Sequence, residues 1–341
     1  MTQAHQVTIN FADGVSHTFA AGSGENILEA AIKAEVPVLY QCKAGACASC
    51  TCKLAEGEAV TIPGASSTLL ASEYAEGNRL LCVTKAESDC SFNVAYGSEV
   101  GSSVAQEVKV FIDSVERIAP NVMRLTVELA EGNWLEFRPG QFMQITVPGL
   151  GVLRSYSPSS TSLTLPKMEF LVRLLPNGAM STFLENEAQV DQVLTMKGPY
   201  GAFFLHEEHR RAPHIFVAGG TGLAPILSMI DGLRQASGKK PPMLLSFGCA
   251  VPEALFALDD MELRQHWLPT LKTRICVDRN ATEGLHEGSP VSALEQEDVT
   301  DPNTVAYLCG PQPMIDAATT RLIELGMKPE LIFAEQFVAS N

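Results

Sequence analysis

Residues 42–50 read CKAGACASC: three cysteines in nine positions, with only Lys43 among the others larger than serine. The spacing is C-x4-C-x2-C, and a further cysteine, Cys82, follows in RLLCVT. A disulfide framework, a zinc site and an iron–sulfur site compete for such a run. The chain has 341 residues and nine cysteines, an odd number, and MTQAHQVTINF is not a basic stretch leading into an apolar one. A reducing compartment, the cytoplasm, and metal use are therefore expected before disulfides.

Zinc sites use paired C-x2-C hooks, which the four-residue gap and the lone distal cysteine fit badly. C-x4-C-x2-C followed by a distant cysteine is the plant-type [2Fe–2S] spacing, with Cys42, Cys47, Cys50 and Cys82 as ligands. Ala44, Gly45, Ala46, Ala48 and Ser49 are small enough for backbone N–H groups to turn toward the cluster sulfurs. Cys52 reads as a packed thiol in the following strand. Residues 1–103 carry 11 Asp/Glu against 5 Lys/Arg, yet Lys43, Lys53, Arg79 and Lys85 fall near the ligands in sequence.

Outward from this segment the chain divides into three parts. Its composition is that of a globular chain of two or three domains, 46% hydrophobic and 18% charged,. A net charge of −15 argues against nucleic-acid and anionic-membrane partners. No run approaches the roughly 18 apolar residues of a membrane span. VTINFADGVSHTF (7–19) predicts a hairpin about Asp13-Gly14. ENILEAAIKA (25–34) has helical apolar spacing. YGSEVGSSVAQE (96–107) reads as a linker. VKVFIDSVERI, VMRLTVELA, FMQITVPG, MEFLVRLL and QVLTMKGPYG predict an antiparallel barrel, interrupted by a helix at STFLENEA (181–188). From about residue 210, four strand–helix repeats predict a doubly wound parallel sheet: HIFVAGG with LAPILSMIDGLRQ, MLLSFGC with ALDDMELRQHW, TRICVD with PVSALEQ, and TVAYLCG with MIDAATTRLIELG.

Two further motifs carry chemistry. Arg154, Ser155, Tyr156 and Ser157 (RSYS) are placed just after a barrel strand. Arg suits a phosphate, Tyr a flat ring and Ser a ring nitrogen. Downstream, Gly178 precedes a helix start containing Met180, Ser181 and Thr182, and a helix N-terminus suits a pyrophosphate. VAGGTGLAP (217–225) follows a strand and opens a helix; Gly219, Gly220, Thr221 and Gly222 allow close backbone approach to a dinucleotide. LCGPQPM (308–314) adds Cys309, Gly310 and Pro311. The segment 247–263 holds no Lys or Arg but contains Glu253, Asp259, Asp260 and Glu262. That pattern disfavours a 2′-phosphate and points to NADH, with Arg279 as the basic residue that would reverse it.

In this order the motifs resemble a plant-type ferredoxin joined to the ferredoxin–NADP⁺ reductase superfamily. Over nearly the whole chain they resemble reductase components of bacterial aromatic-ring oxygenases, of the benzoate/toluate 1,2-dioxygenase type. The resemblance implies a multidomain α+β and α/β chain. It comprises a β-grasp [2Fe–2S] ferredoxin domain (1–97), a linker (98–107), an antiparallel β-barrel FAD domain (108–207) and a doubly wound parallel α/β NAD domain (208–341). It implies one [2Fe–2S] cluster, FAD rather than FMN, NADH, and a Rieske-type terminal oxygenase as partner. Val172 and Arg173 would flank the flavin, Ser157 and Cys309 would position flavin and nicotinamide, and Phe337 would stack on the flavin. Reductases of methane, phenol and toluene monooxygenases share the domain order and stay open as the alternative. A non-enzymatic redox carrier or sensor is the reading from another class. No side chain is expected to act as acid or base.

Overall fold

The computed structural model describes residues 4–40, 43–45, 49–69, 71–101, 105–132 and 134–337. It forms two compact units, Met1–Ala105 with Tyr200–Ala202, and Gln106–Pro199 with Phe203–Asn341. In the first, β1 (His5–Asn10) and β2 (Ser16–Ala21) make the expected hairpin, with Gly14 at φ 85° in the turn. Val7 and Ile9 alternate inward. Helix α1 (Ile27–Lys33) starts where the Asn26 side chain accepts from Glu29 N–H at 2.8 Å, and it buries Ile27, Leu28, Ala30 and Ala31,. Then follow β3 (Thr51–Glu56), β4 (Ala59–Thr61), α2 (Ala71–Ala75), β5 (Asn78–Leu80), β6 (Thr84–Ala86), β7 (Cys90–Asn93) and α3 (Ser98–Gly101). The sheet order is β2-β1-β7-β3-β5, with β1 and β7 parallel and the other pairs antiparallel. A mixed sheet gripping one helix is the β-grasp fold. Within the stretch read as a linker, residues 98–101 form one helical turn, because the Asp13 carboxylate accepts from both N–H and Oγ of Ser98.

The second unit opens with β8 (Gln106–Ala119), β9 (Val122–Leu129), β10 (Phe142–Thr146), β11 (Leu153–Tyr156), β12 (Lys167–Arg173), α4 (Ala179–Asn186) and β13 (Val193–Tyr200). The order β11-β10-β13-β8-β9-β12 closes on itself through a bridge between Pro158 and Phe170. Ser159 N–H donates to Glu169 O at 2.8 Å there. Closure removes the sheet edges, and α4 packs Met180, Phe183 and Leu184 into the barrel core,.

Next come β14 (His214–Gly219), α5 (Leu223–Gln235), β15 (Met243–Cys249), α6 (Leu258–Trp267), β16 (Leu271–Val277), β17 (His286–Glu287), β18 (Val305–Gly310), α7 (Gln312–Glu324) and β19 (Ile332–Gln336). All are parallel, in the order β17-β16-β15-β14-β18-β19, so the winding reverses between β14 and β18. Alternate residues of β14 feed two cores: Phe216 and Ala218 on one face, Ile215 and Val217 on the other. The first of these cores also takes Ala119, Val122 and Leu171 from the barrel.

One repeat departs from expectation. PVSALEQ forms no α-helix; it is a turn leading to a 3-10 turn at Gln296–Asp298. Its buried Val291 and Leu294 supply only one helical turn of apolar spacing. The Arg274 guanidinium takes the Ala293 carbonyl and the Asp298 carboxylate, which fixes the segment without a helix.

Candidate functional site

Two of the four cysteine candidates, Cys42 and Cys47, lie outside the described residues. Cys50 ends the loop just before β3, and Cys82 sits in a 3-10 turn after β5; both are buried. Leu81 N–H donates to Cys50 O at 3.1 Å, which ties the two segments together. Gly45 has φ 74°, and a Cβ there would stand 2.0 Å from Ser66 O. Only glycine lets the loop lie that close to residues 66–68. Beside Cys50, the Ser49 hydroxyl is buried and has no hydrogen-bond partner. An orphaned buried donor next to a candidate ligand cysteine fits a cluster, whose sulfurs would accept it. Cys52 is packed as expected. Its thiol donates to Arg79 O at 3.5 Å and burial pushes its pKa well up.

Arg154, Ser155 and Tyr156 lie on β11 itself, a correction to their expected place after a strand. The cause is a tight turn at Gly149 and Gly151, both at positive φ, that returns the chain at once into pairing with β10. Ser157 follows, 3% exposed, with its Oγ orphaned. Such a hydroxyl suits a flavin ring nitrogen, so the site fits the group. Carrying the Pro158–Phe170 register onward sets Tyr156 opposite Val172. Val172 and Met180 have their side chains in the barrel core, so only their backbones can face a ligand; Arg173 is exposed. Gly178 caps α4, and Thr182 N–H makes the first helical bond back to it at 2.9 Å. That leaves the N–H groups of residues 179–181 without intrahelical acceptors. Ser181 Oγ accepts from Leu175 N–H at 2.8 Å and so also holds the preceding loop.

At the C-terminal end of the parallel sheet, Gly219 to Gly222 turn from β14 into α5. A Cβ on Gly222 would stand 2.2 Å from Cys309 O, and one on Gly219 would stand 2.8 Å from Met314 Sδ. The backbone is thus bare at the switch point, where a dinucleotide binds in such sheets. Thr221 is mostly buried, and Pro311 precedes α7 as its cap. Cys309 pairs across the sheet with Ala218 on one side and Glu335 on the other. Glu335 is a residue that the sequence reading missed. Its Oε2 is buried without a partner, and burial pushes its pKa up to about 8. A neutral carboxyl can donate a hydrogen bond at pH 7. The signal was available, since Glu335 is the one charged residue in the mainly apolar run LIFAEQFV. Phe337 N–H donates to Gly310 O at 3.1 Å and its ring packs on the sheet core.

Family models match along the chain in the same order. A 2Fe-2S iron-sulfur cluster binding domain matches residues 10–87, an oxidoreductase FAD-binding domain 109–205 and an oxidoreductase NAD-binding domain 216–320. These folds and sites define an iron–sulfur flavoprotein oxidoreductase of the ferredoxin–NADP⁺ reductase superfamily. The toluate 1,2-dioxygenase electron transfer component of Pseudomonas putida is 31% identical over 337 residues, covering 98% of this chain and 99% of that one. Methane monooxygenase component C of Methylosinus trichosporium is 36% identical over 300 residues, 86% of each chain. The cytochrome P450 reductase GcoB of Amycolatopsis shares the fold, with a TM-score of 0.72 at 23% identity over 98% of this chain and 100% of that one. The chain belongs to the family of three-domain reductases that serve as electron transfer components of bacterial oxygenases. Its cofactors are [2Fe–2S], FAD and a nicotinamide nucleotide, which together exchange one electron pair for two single electrons,. No helix among the described residues is long and apolar enough to cross a membrane.

Proposed function

We propose that this reductase takes electron pairs from NADH and delivers single electrons to a Rieske-type terminal oxygenase of an aromatic-ring dioxygenase, benzoate or toluate in kind, in the cytoplasm. The observation that carries this reading is the likeness to the toluate 1,2-dioxygenase component, which runs end to end. Cys42, Cys47, Cys50 and Cys82 would hold the cluster. Arg154 and the α4 N-terminus from Gly178 to Thr182 would take the FAD phosphates. Ser155, Tyr156, Ser157, Arg173 and the Val172 backbone would frame the flavin, with Phe337 over its ring. Gly219–Gly222 would cradle the dinucleotide pyrophosphate, and Cys309, Gly310 and Pro311 would seat the nicotinamide. The domain bounds that go with this assignment are 1–97, 108–207 and 208–341.

The choice of NADH rests on the exit of β15. Glu253 and Asp259 are exposed there, while Asp260 is held by Arg124. Asp278 N–H donates to Cys249 O at 3.2 Å, so the exit of β16, carrying exposed Arg279, lies beside it. Initial rates of ferricyanide reduction test the choice: kcat/KM for NADH should exceed that for NADPH at least tenfold. A preference for NADPH that disappears in Arg279→Gln would reverse the assignment.

The partner is tested by anaerobic mixing of the NADH-reduced protein with a Rieske dioxygenase or with a di-iron hydroxylase. The reading requires faster reduction of the former. The reverse order would favour a monooxygenase partner, which the 36% identity to methane monooxygenase component C supports as the second reading.

A further inference from the structure

Arg79 is a buried cation in the first unit that the electron route does not use. It lies on β5 directly across from Cys52, two residues past Cys50, and it precedes Cys82 by three. It is only 9% exposed. Its Nε donates to Ala59 O at 3.1 Å, and its Nη1 donates to Tyr74 O and Asn78 O, both at 2.8 Å. The guanidinium carbon stands 3.6 Å from the Tyr74 ring centre. Each of these partners is neutral. Among the described residues no carboxylate approaches within ion-pair distance. An arginine does not release its proton inside a protein, so a full positive charge stays there with no counter-ion among the described residues.

A fixed buried charge near a redox centre acts on the oxidised and reduced states unequally. The cluster gains one electron from the flavin, with no bond made or broken and no proton taken up. Its net charge becomes more negative by one. A positive charge close by favours that product, and burial keeps salt from screening the effect. We propose that Arg79 is a tuning residue whose unpaired guanidinium raises the reduction potential of the cluster and so draws electrons off the flavin. The proposal rests on Cys50 and Cys82 being cluster ligands.

Redox titration of the full-length holoprotein, followed by the electron paramagnetic resonance of the reduced cluster, tests it. A unit charge on the order of 10 Å away at an effective dielectric near 20 shifts a one-electron equilibrium roughly tenfold, which is about 59 mV. Arg79→Met should lower the cluster potential by that amount at full iron and sulfide content, and Arg79→Lys should stay within about threefold of wild type. The sign separates tuning from packing. A merely loosened fold admits water, which stabilises the more charged reduced state and raises the potential. An unchanged or raised potential in Arg79→Met overturns the proposal. If Arg79→Met loses its cluster, Arg79→Gln, which can still donate to the carbonyls, takes its place under the same criterion. Cluster loss in both assigns Arg79 a structural role and also overturns it. Failure of the ligand assignment would show separately, as a cluster signal that survives in Cys82→Ser.

Discussion

The iron–sulfur loop and the flavin–nucleotide machinery of the second unit are built in opposite ways. Three of the four cysteine candidates lie within nine residues, and a backbone hydrogen bond from Leu81 N–H to Cys50 O ties the segment carrying the fourth to Cys50. Ser157 comes from the residue just after β11, and Cys309 and Glu335 from β18 and β19, so a barrel and a parallel sheet must form before any of them is placed. A local site is specified by spacing and by small residues that let the chain fold back on itself. A distributed site is specified by topology. The first should therefore fail outright when one ligand is lost, and the second should fail by degrees.

The largest expected effect follows from the local site. Cys82→Ser should abolish the cluster absorbance and its iron and sulfide while NADH–ferricyanide activity stays within about twofold of wild type. An unchanged iron content would remove Cys82 from the ligand set and break the contrast at its root. Next comes Gly222→Ala. The added Cβ meets a backbone carbonyl, Cys309 O, at 2.2 Å, and backbone cannot swing aside as a flexible side chain would. Overpacking of this kind costs about 1–3 kcal/mol. The KM for NADH should rise about tenfold or more with FAD content retained. A normal KM would mean that the β14–α5 turn is not the dinucleotide cradle.

The same contrast decides what could be read from sequence. CKAGACASC, read with the distant Cys82 and its small neighbours, declared its chemistry locally, and the strand–helix rhythm after residue 210 declared the parallel sheet. What stayed hidden depended on register or on distant partners. RSYS was displaced by one short strand because two glycines, 149 and 151, turn the chain more tightly than an apolar pattern can reveal. PVSALEQ looked helical because nothing local announces that Arg274, some twenty residues upstream, will take its carbonyl. Val172 faces the core because barrel closure at Pro158 and Phe170 sets which face of β12 is inside. Glu335 acquires its character only when β19 lands beside Cys309.

That carboxyl supplies the pH test of the distributed site. Burial raises the folded-state pKa of Glu335 to about 8 from an ordinary 4.5. Between those values the folded protein holds a proton that the unfolded chain has lost, so stability declines as pH rises through the window. The contribution is fully present below about pH 4.5 and gone above about pH 8. Glu335→Gln keeps the neutral shape without the titration. Its melting temperature should match wild type near pH 5 and exceed it by several degrees at pH 8. Parallel curves across the range would show that the carboxyl finds a charged partner in the loaded enzyme.

The smallest expected effect concerns an ion cluster that joins the barrel to the nucleotide layer. Arg124 on β9 donates to Asp260 on α6, and its Nε lies 3.4 Å from Glu169 of β12. A third carboxylate, Glu116, stands 3.9 Å away. A single exposed ion pair contributes about 0.2–1 kcal/mol. Arg124 differs because three carboxylates share it and its side chain is only 22% exposed. Arg124→Met leaves those carboxylates facing one another, so the expected loss is about 1–2 kcal/mol at low salt and should shrink as salt screens the repulsion. Adding Asp260→Asn should restore part of it, because one repelling charge is gone, and the non-additivity of the pair measures the coupling. Additive losses insensitive to salt would mean that the apolar core around Ala119, Val122 and Leu171 holds barrel and sheet together without help from charge.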